Sequence, residues 1–219
     1  MKRIVISALH LDNGTLVCKG KSGRMYSVFK KQGDLDGACA TYCVIMNLLI
    51  LGTINGSDTE VRAKHSNPDT KRLFREFCEY HGMHRDGQTY QMIQRMLTRS
   101  MGDVVQVKRR DTKNLSSVVV IAETIKGNDI PVIISITGHA MLAVGVEEDG
   151  GEVTKILCLD PSGDYMNHTN KRWNSEIQII RDRRTSFKYV SRVGGLPPKD
   201  NDYTRLNDVL IITKKYNGN

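Results

Sequence analysis

Residues 32–52, QGDLDGACATYCVIMNLLILG, decide the fold and contain the main candidate for chemistry. A loop rich in Gly and Asp leads to Cys39, and about thirteen apolar or small residues follow before Gly52, a typical helix end. A helix that is apolar all round must be buried. Cys39 would begin its first turn, where unpaired backbone N–H groups and the positive end of the helix dipole favour a thiolate. The stretch therefore predicts a buried helix with a nucleophilic cysteine at its start.

The composition indicates one globular unit. The chain has 219 residues and 39% hydrophobic content, enough for a single core. Its five cysteines are too sparse for a disulfide scaffold, which favours reduced thiols and a cytoplasmic protein. The sequence shows no secretory signal segment and no apolar run of membrane-spanning length, and secretion by a signal-independent route stays open.

The charge is basic, with a net value of +8. Lysine and arginine cluster at 108–110, 171–172 and 181–184. These clusters lie at the ends of strand-like segments and lack interleaved aromatic residues, so the pattern favours solvated loop charge over a nucleic-acid interface. An acidic protein partner remains an alternative.

Hydrophobic periodicity predicts a helical first half and a sheet-forming second half, the α+β class. The expected domain is single, 1–219, with a helical lobe over about 30–127 and a β lobe over about 128–219 that also takes the N-terminal strands 1–29. Helical spacing occurs over 69–80, 89–101 and 115–126, and strand patterns occupy 15–18, 25–29, 103–107, 131–136, 139–146, 153–159, 176–180, 186–190 and 208–213.

A histidine and an aspartate lie near the two open ends of one predicted hairpin. Asp149-Gly150 is a strong hairpin turn signal, and a turn centred there would set His139 directly opposite Asp160. Directly opposed residues in an antiparallel pair project from the same face with their Cβ atoms roughly 5 Å apart. The register therefore predicts a carboxylate–imidazole hydrogen bond.

Together these residues predict a catalytic triad. Cys39 would be the nucleophile, His139 the base and Asp160 the residue that orients the imidazole. Gln32, in the approach to Cys39, offers a side-chain amide that could join the helix-start N–H in an oxyanion hole. Cys43, one turn further along the same helix face, is the weaker candidate nucleophile because it lies inside the helix.

Three residues beside the triad are expected to line the substrate site: Asp36, Gly37 and Gly138. Asp36 could meet a basic or amine-bearing substrate, although a plain loop role is the simpler interpretation.

A metal site is not expected. The stretch CEYHGMH places Cys78, His81 and His84 at a spacing that loosely suits a metal, but it supplies only three ligands. Gly82 would also end the helix between the two histidines. We therefore expect surface histidines, no metal and no cofactor.

The motifs resemble those of the papain-like cysteine peptidase superfamily. Within it, GNDIPVIISITGHAMLAVGV (127–146) and LCLDPSG (157–163) look most like the peptidases that remove double-glycine leaders from bacteriocins. The resemblance covers roughly 28–52 and 115–163, and 164–219 has no counterpart in it.

This resemblance implies a two-lobed papain-like fold. Gln32, Cys39, His139 and Asp160 match the family's oxyanion residue, nucleophile, base and orienting residue. The sequence departs from the family pattern in two ways. An Ala precedes the nucleophile in place of the family's Asp-Cys-Gly order, and the separation of Gln32 from Cys39 is one residue longer than usual.

The function expected from the sequence is a thiol hydrolase that cleaves peptide or isopeptide bonds. A papain-like deamidase or acyltransferase would use the same machinery. A toxin or secreted effector with an inhibitor or immunity partner is a further interpretation. A non-catalytic basic module that binds an acidic protein or nucleic acid is the alternative from another class.

Overall fold

The computed structural model describes residues 1–33, 37–59, 67–79, 88–136, 138–165, 170–180, 186–191 and 203–215. Helices occupy the first half of this part of the chain, as the periodicity predicts. They are α1 (Cys39–Ile50), α2 (Pro68–Glu79), α3 (Tyr90–Met101) and α4 (Leu115–Asn128), with a short 3-10 helix at Gly56–Thr59.

Helix α1 is the buried helix expected from its apolar sequence. Ten of its twelve residues are buried, and burial of each large aliphatic side chain contributes roughly 1.5–3 kcal/mol. Its one buried amide, Asn47, donates to the carbonyl of Pro131 across 3.2 Å, which ties the helix to the sheet. Gly52, two residues after the last residue of the helix, stops it, and its φ of 61° suits glycine. The N–H groups of Gly52 and Thr53 donate to the carbonyls of Leu49 and Leu48, a Schellman arrangement.

The sheet is antiparallel at every described pairing. Its nine strands are β1 (Lys2–Val5), β5 (Val105–Arg110), β6 (Val132–Ile136), β7 (His139–Asp149), β8 (Glu152–Leu159), β9 (Ser175–Ile180), β10 (Ser186–Ser191), β11 (Tyr203–Thr204) and β12 (Val209–Lys214). They run in the order β11-β10-β9-β8-β7-β6-β12-β5, with β1 paired to β7 outside this path.

The helices pack on the central and distal parts of the sheet. Helix α1 contacts β6 and β7, and α4 contacts β1, β6, β7 and β8. Helix α3 packs on β5 and β12, and α2 packs on α3. The resulting core is continuous from α1 through β7 to β12. A cysteine-led helix thus packs on an antiparallel sheet, which confirms the α+β class expected from the sequence.

Two segments of the chain depart from the expected division into a helical lobe and a β lobe. The N-terminal strands do not all join the large sheet, because β2 (His10–Asp12), β3 (Thr15–Lys19) and β4 (Met25–Ser27) form a separate three-stranded sheet. Strand β5 overlaps the strand pattern at 103–107, but it lies within the range assigned to the helical lobe and joins the large sheet by pairing with β12 along its full length. The exposure of β5 alternates along the strand, because only one of its faces is covered.

The register of β7 and β8 differs from the predicted one. The turn residues are Gly150 and Gly151, both at positive φ, and Asp149 pairs with Glu152. A two-residue turn of this kind needs positive φ at both positions, which glycine adopts more readily than aspartate. The register therefore moves by two residues, and two bulges further along cancel each other. Because a shift of two residues keeps each side chain on its own face, His139 and Asp160 remain diagonal neighbours.

Among the described helices, none combines the length and the apolarity that crossing a membrane requires. The four described cysteines, Cys18, Cys39, Cys43 and Cys158, are all free thiols.

Candidate active site

Cys39 occupies the first position of α1. The preceding residue, Ala38, supplies no side-chain cap, and the first turn contains no acidic residue. The N–H groups of this turn therefore keep their positive potential available to an anion. Cys39 itself is only partly buried, whereas most of the helix behind it is inaccessible. This position combines access with an electropositive environment.

His139 begins β7 immediately after a tight hairpin. Ile136 pairs with His139, and Gly138 between them has a φ of 72°. A side chain at Gly138 would be strained at this φ even though nothing lies within 4 Å of the added carbon. The hairpin thus sets the first residue of β7 at the end of the sheet, next to the start of α1.

Asp160 follows β8 and is buried, with 1% of its side chain exposed. The Nε2 atom of His139 donates to its Oδ1 atom across 2.7 Å. The backbone N–H of Ser162 donates to the same oxygen across 2.9 Å. The two residues expected to meet are therefore in hydrogen-bond contact, although the pairing register is not the one predicted.

A buried asparagine that the sequence analysis did not identify holds Asp160. The Asn174 side chain accepts from the backbone N–H of Asp160 across 2.7 Å and donates to the Asp160 carbonyl across 2.9 Å. Asn174 is 3% exposed. It lies fourteen residues away in sequence, and an Asn before a strand has no distinctive local pattern. Only the pairing of β8 with β9 brings it to Asp160.

Cys39 and His139 form a hydrogen-bonded pair. Burial of the thiol acts to raise the pKa of Cys39, but the hydrogen bond and charge of His139, with the backbone N–H groups of Ala140 and Ala40, outweigh it and lower that pKa. Burial acts to lower the pKa of His139, yet its hydrogen bonds to Asp160 and Cys39 raise that pKa to about 9. These directions favour a thiolate–imidazolium pair near neutral pH.

The other described thiols lack this environment. Burial raises the pKa of Cys18 to about 11 and raises the pKa values of Cys43 and Cys158 well above the usual range. The thiol of Cys43 lies behind Cys39 and contacts the carbonyl of Ala140 at 3.6 Å. Among these cysteines, Cys39 alone has a pKa lowered by a hydrogen-bonded imidazole.

Gln32 lies on the Asp160 side of the site. Its backbone N–H donates to the carbonyl of Pro161 across 2.7 Å. Its side-chain oxygen accepts from the hydroxyl of Ser162 at 3.4 Å. Gln32, in the chain before α1, is therefore hydrogen-bonded to the turn that follows Asp160.

A cavity of about 460 Å³ opens beside Cys39 and His139. Gly138 lines it, and Gly37 is half-buried just before α1, whereas Asp36 lies outside the described residues. The hydroxyl of Tyr90, on another wall, is buried and has no hydrogen-bond partner in the part of the chain that the structure describes. Neutral polar residues that the sequence analysis did not identify complete the walls: Gln88, Thr89, Ser135 and Asn207.

The stretch weighed as a metal site lies almost entirely beyond the described residues. His81 and His84 lie outside them, and Cys78 is described only as part of the backbone of α2. Within the described ranges, no group of three or more His, Cys, Asp or Glu residues is arranged to hold a metal ion.

The sequence matches no family model and no curated protein. Among solved structures, the chain is similar to the crystal structure of UfSP from C. elegans, with a TM-score of 0.49 and 15% sequence identity. The match covers 99% of this chain and 35% of that chain, so this chain spans about a third of that protein's length. Membership of the bacteriocin-processing family stays a prediction.

Proposed function

We propose that this protein is a cysteine hydrolase that cleaves peptide or isopeptide bonds in protein substrates. The observation that supports this most directly is the hydrogen-bonded series from the Cys39 thiol through His139 to the buried carboxylate of Asp160. A base held between a thiol and a carboxylate is the arrangement that activates a sulfur nucleophile. The adjacent cavity provides room for a substrate.

In the first step, the Cys39 thiolate attacks the carbonyl carbon of the scissile amide and forms a tetrahedral oxyanion. The N–H groups at the start of α1 and the side-chain amide of Gln32 are the donors proposed to stabilise it. His139, held as imidazolium by Asp160, gives its Nδ1 proton to the leaving nitrogen. The amine departs and a thioester remains on Cys39.

In the second step, neutral His139 accepts a proton from water, and the resulting hydroxide attacks the thioester. Collapse of the second tetrahedral intermediate releases the carboxylic acid and returns the thiolate–imidazolium pair. Asp160 keeps its charge throughout, since its role is to orient and stabilise the imidazolium.

The experiment that tests the proposal is incubation of a native proteome with four versions of the protein, followed by mass spectrometry of new N-termini. Wild type and Cys43→Ala are expected to produce the same new N-termini, because Cys43 is buried and takes no part in the mechanism. Cys39→Ala and His139→Ala are expected to produce none. New N-termini that persist in Cys39→Ala would contradict the proposal. Deamidated glutamines in place of new N-termini would retain the thiol mechanism and exclude hydrolysis of the peptide backbone.

A further inference from the structure

The cavity beside Cys39 has a basic end. Lys113 and Asp208 are its charged members away from the catalytic pair. The Asp208 carboxylate is bound by Arg109, whose Nε atom donates to it across 2.7 Å. Lys113 is exposed and forms no ion pair among the described residues. The cavity therefore presents one uncompensated cation to whatever occupies it.

A second cavity, of about 590 Å³, begins at the residue before Lys113. Thr112 lines it, and Lys108 and Arg110 project into it from the same face of β5. Glu123 on α4 is the acidic residue that lines the same cavity, and it forms no ion pair with either cation in the described chain. Strand β5 is the edge strand of the sheet, and Thr112 of the second cavity and Lys113 of the first follow it directly in the chain.

We propose that Lys113, Lys108 and Arg110 form a basic strip that binds an acidic segment of the polypeptide substrate. This inference rests on the proposed function, because it names the substrate class that the same site accepts. Lys113 would contact acidic side chains close to the scissile bond, and Lys108 and Arg110 would contact those further along the segment. Complementary charge of this kind steers association and selects substrates.

The occupant is a polypeptide because one molecule must both present an amide carbonyl to Cys39 and carry the negative charge. A nucleic acid supplies the charge but no amide carbonyl in its backbone. The second cavity also has no aromatic lining residue on which bases would stack. Carboxylates of Asp and Glu side chains therefore fit both requirements.

The test measures binding of a fluorescein-labelled oligoglutamate peptide to the full chain carrying Cys39→Ala, by fluorescence anisotropy. Two triple variants are compared, each of which changes the net charge equally. The strip variant reverses the charge of the strip and carries Lys108→Glu, Arg110→Glu and Lys113→Glu. The control variant reverses three exposed cations of the three-stranded sheet and its β3–β4 turn, and carries Lys19→Glu, Lys21→Glu and Arg24→Glu. The strip variant is expected to weaken binding about tenfold or more, and the control less than about twofold. If the strip triple does not fold, Lys113→Glu alone is expected to weaken binding about threefold.

Equal weakening by the two triples would overturn the inference, because it would mean that only net charge matters. Tighter binding of a single-stranded oligonucleotide of equal charge, lost in the strip variant, would overturn the assignment to an acidic polypeptide. Alkylation of Cys39 is measured in parallel in the wild type. An inert Cys39 would refute the hydrolase while a strip-dependent peptide interaction stands, and a reactive Cys39 with no strip effect would refute the strip alone.

Discussion

At the scale of single residues, the imidazole of His139 determines whether Cys39 is reactive. Burial alone would raise the pKa of this thiol, and the hydrogen bond from His139 reverses the effect. His139→Ala should therefore raise the pKa of Cys39. Its alkylation rate by iodoacetamide at pH 7 is expected to fall about tenfold for each unit of that increase. The same rate is measured for Cys43, which should remain unlabelled in both folded proteins. An unchanged Cys39 rate in His139→Ala would contradict the thiolate–imidazolium pair.

The pH dependence of turnover follows from the same two groups. The pKa of Cys39 is lowered, so activity should persist below the ordinary thiol range and fall only as acid protonates the thiolate. The pKa of His139 is raised to about 9, so activity should fall as pH rises through that value and the imidazolium loses the proton for the leaving group. Initial rates on a peptide substrate from pH 5 to 10 test this. A steady increase of rate through pH 10 would show that no imidazolium is needed.

Asn174 is a positioning residue, because it acts on Asp160 and not on the substrate. Asn174→Ala removes both of its hydrogen bonds to the Asp160 backbone. Displacement of the carboxylate should lower kcat/KM about tenfold to a hundredfold. It should also move the alkaline limit of activity below pH 9, since the hydrogen bond to Asp160 is the largest of the interactions that raise the pKa of His139. Ser175→Ala is the control, because Ser175 is equally buried but its hydroxyl contacts Met141. An alkaline limit that stays at about 9 in Asn174→Ala would assign Asn174 a purely structural role.

At the scale of elements, the end of α1 depends on the conformation of one glycine. Gly52 has a φ of 61°, and a Cβ there would lie 3.4 Å from the carbonyl oxygen of Lys19. Gly52→Ala should therefore lower the free energy of unfolding by about 1–2 kcal/mol. Gly127→Ala, within α4 where nothing lies within 4 Å, should instead raise it by about 0.5–1 kcal/mol. Urea denaturation of both variants measures the difference. Equal effects of the two substitutions would contradict the left-handed helix end.

The sequence predicts these elements well where one signal dominates. The apolar run of α1 and the glycine after it indicate a buried helix and its end, and both are confirmed. The hairpin of β7 and β8 is also indicated correctly, but its register is not. Sequence position does not distinguish an Asp149-Gly150 turn from a Gly150-Gly151 turn, and the bulges further along have no local signature. The contact between His139 and Asp160 was still predicted correctly, because an error of two residues in the register leaves both side chains on the same face of the sheet.

At the scale of the whole molecule, the candidate site depends on contacts that no local pattern encodes. Cys39, the first residue of α1, and His139, the first residue of β7, are about a hundred positions apart in the sequence. Their residue types and order predict a nucleophile and a base. Asn174 and Lys113 could not be found in this way, because each reaches the site only through strand pairing: β9 with β8, and β5 with β12.

This dependence predicts that the helical and sheet halves unfold together. Strand β12 lies between β6, which contacts α1, and β5, which contacts α3, so its core side chains join both halves. Two fully buried thiols report on them separately, Cys43 on α1 and Cys158 on β8. In a Cys39→Ala background, pulse labelling in increasing urea should modify both thiols with one midpoint. Leu210→Ala in β12 should move both midpoints down together, by a loss of about 2–5 kcal/mol.

Ile211, the partly buried neighbour of Leu210, is the matched control. Ile211→Ala removes a side chain that is less completely enclosed, so it should lower the free energy of unfolding by less than Leu210→Ala does. Labelling of Cys43 at a lower urea concentration than Cys158 would show that α1 detaches before the sheet opens. The cysteine and the imidazole would then belong to separately folding lobes. A common midpoint instead means that any substitution that loosens β12 also reduces the population in which Cys39 lies against His139, without touching either residue.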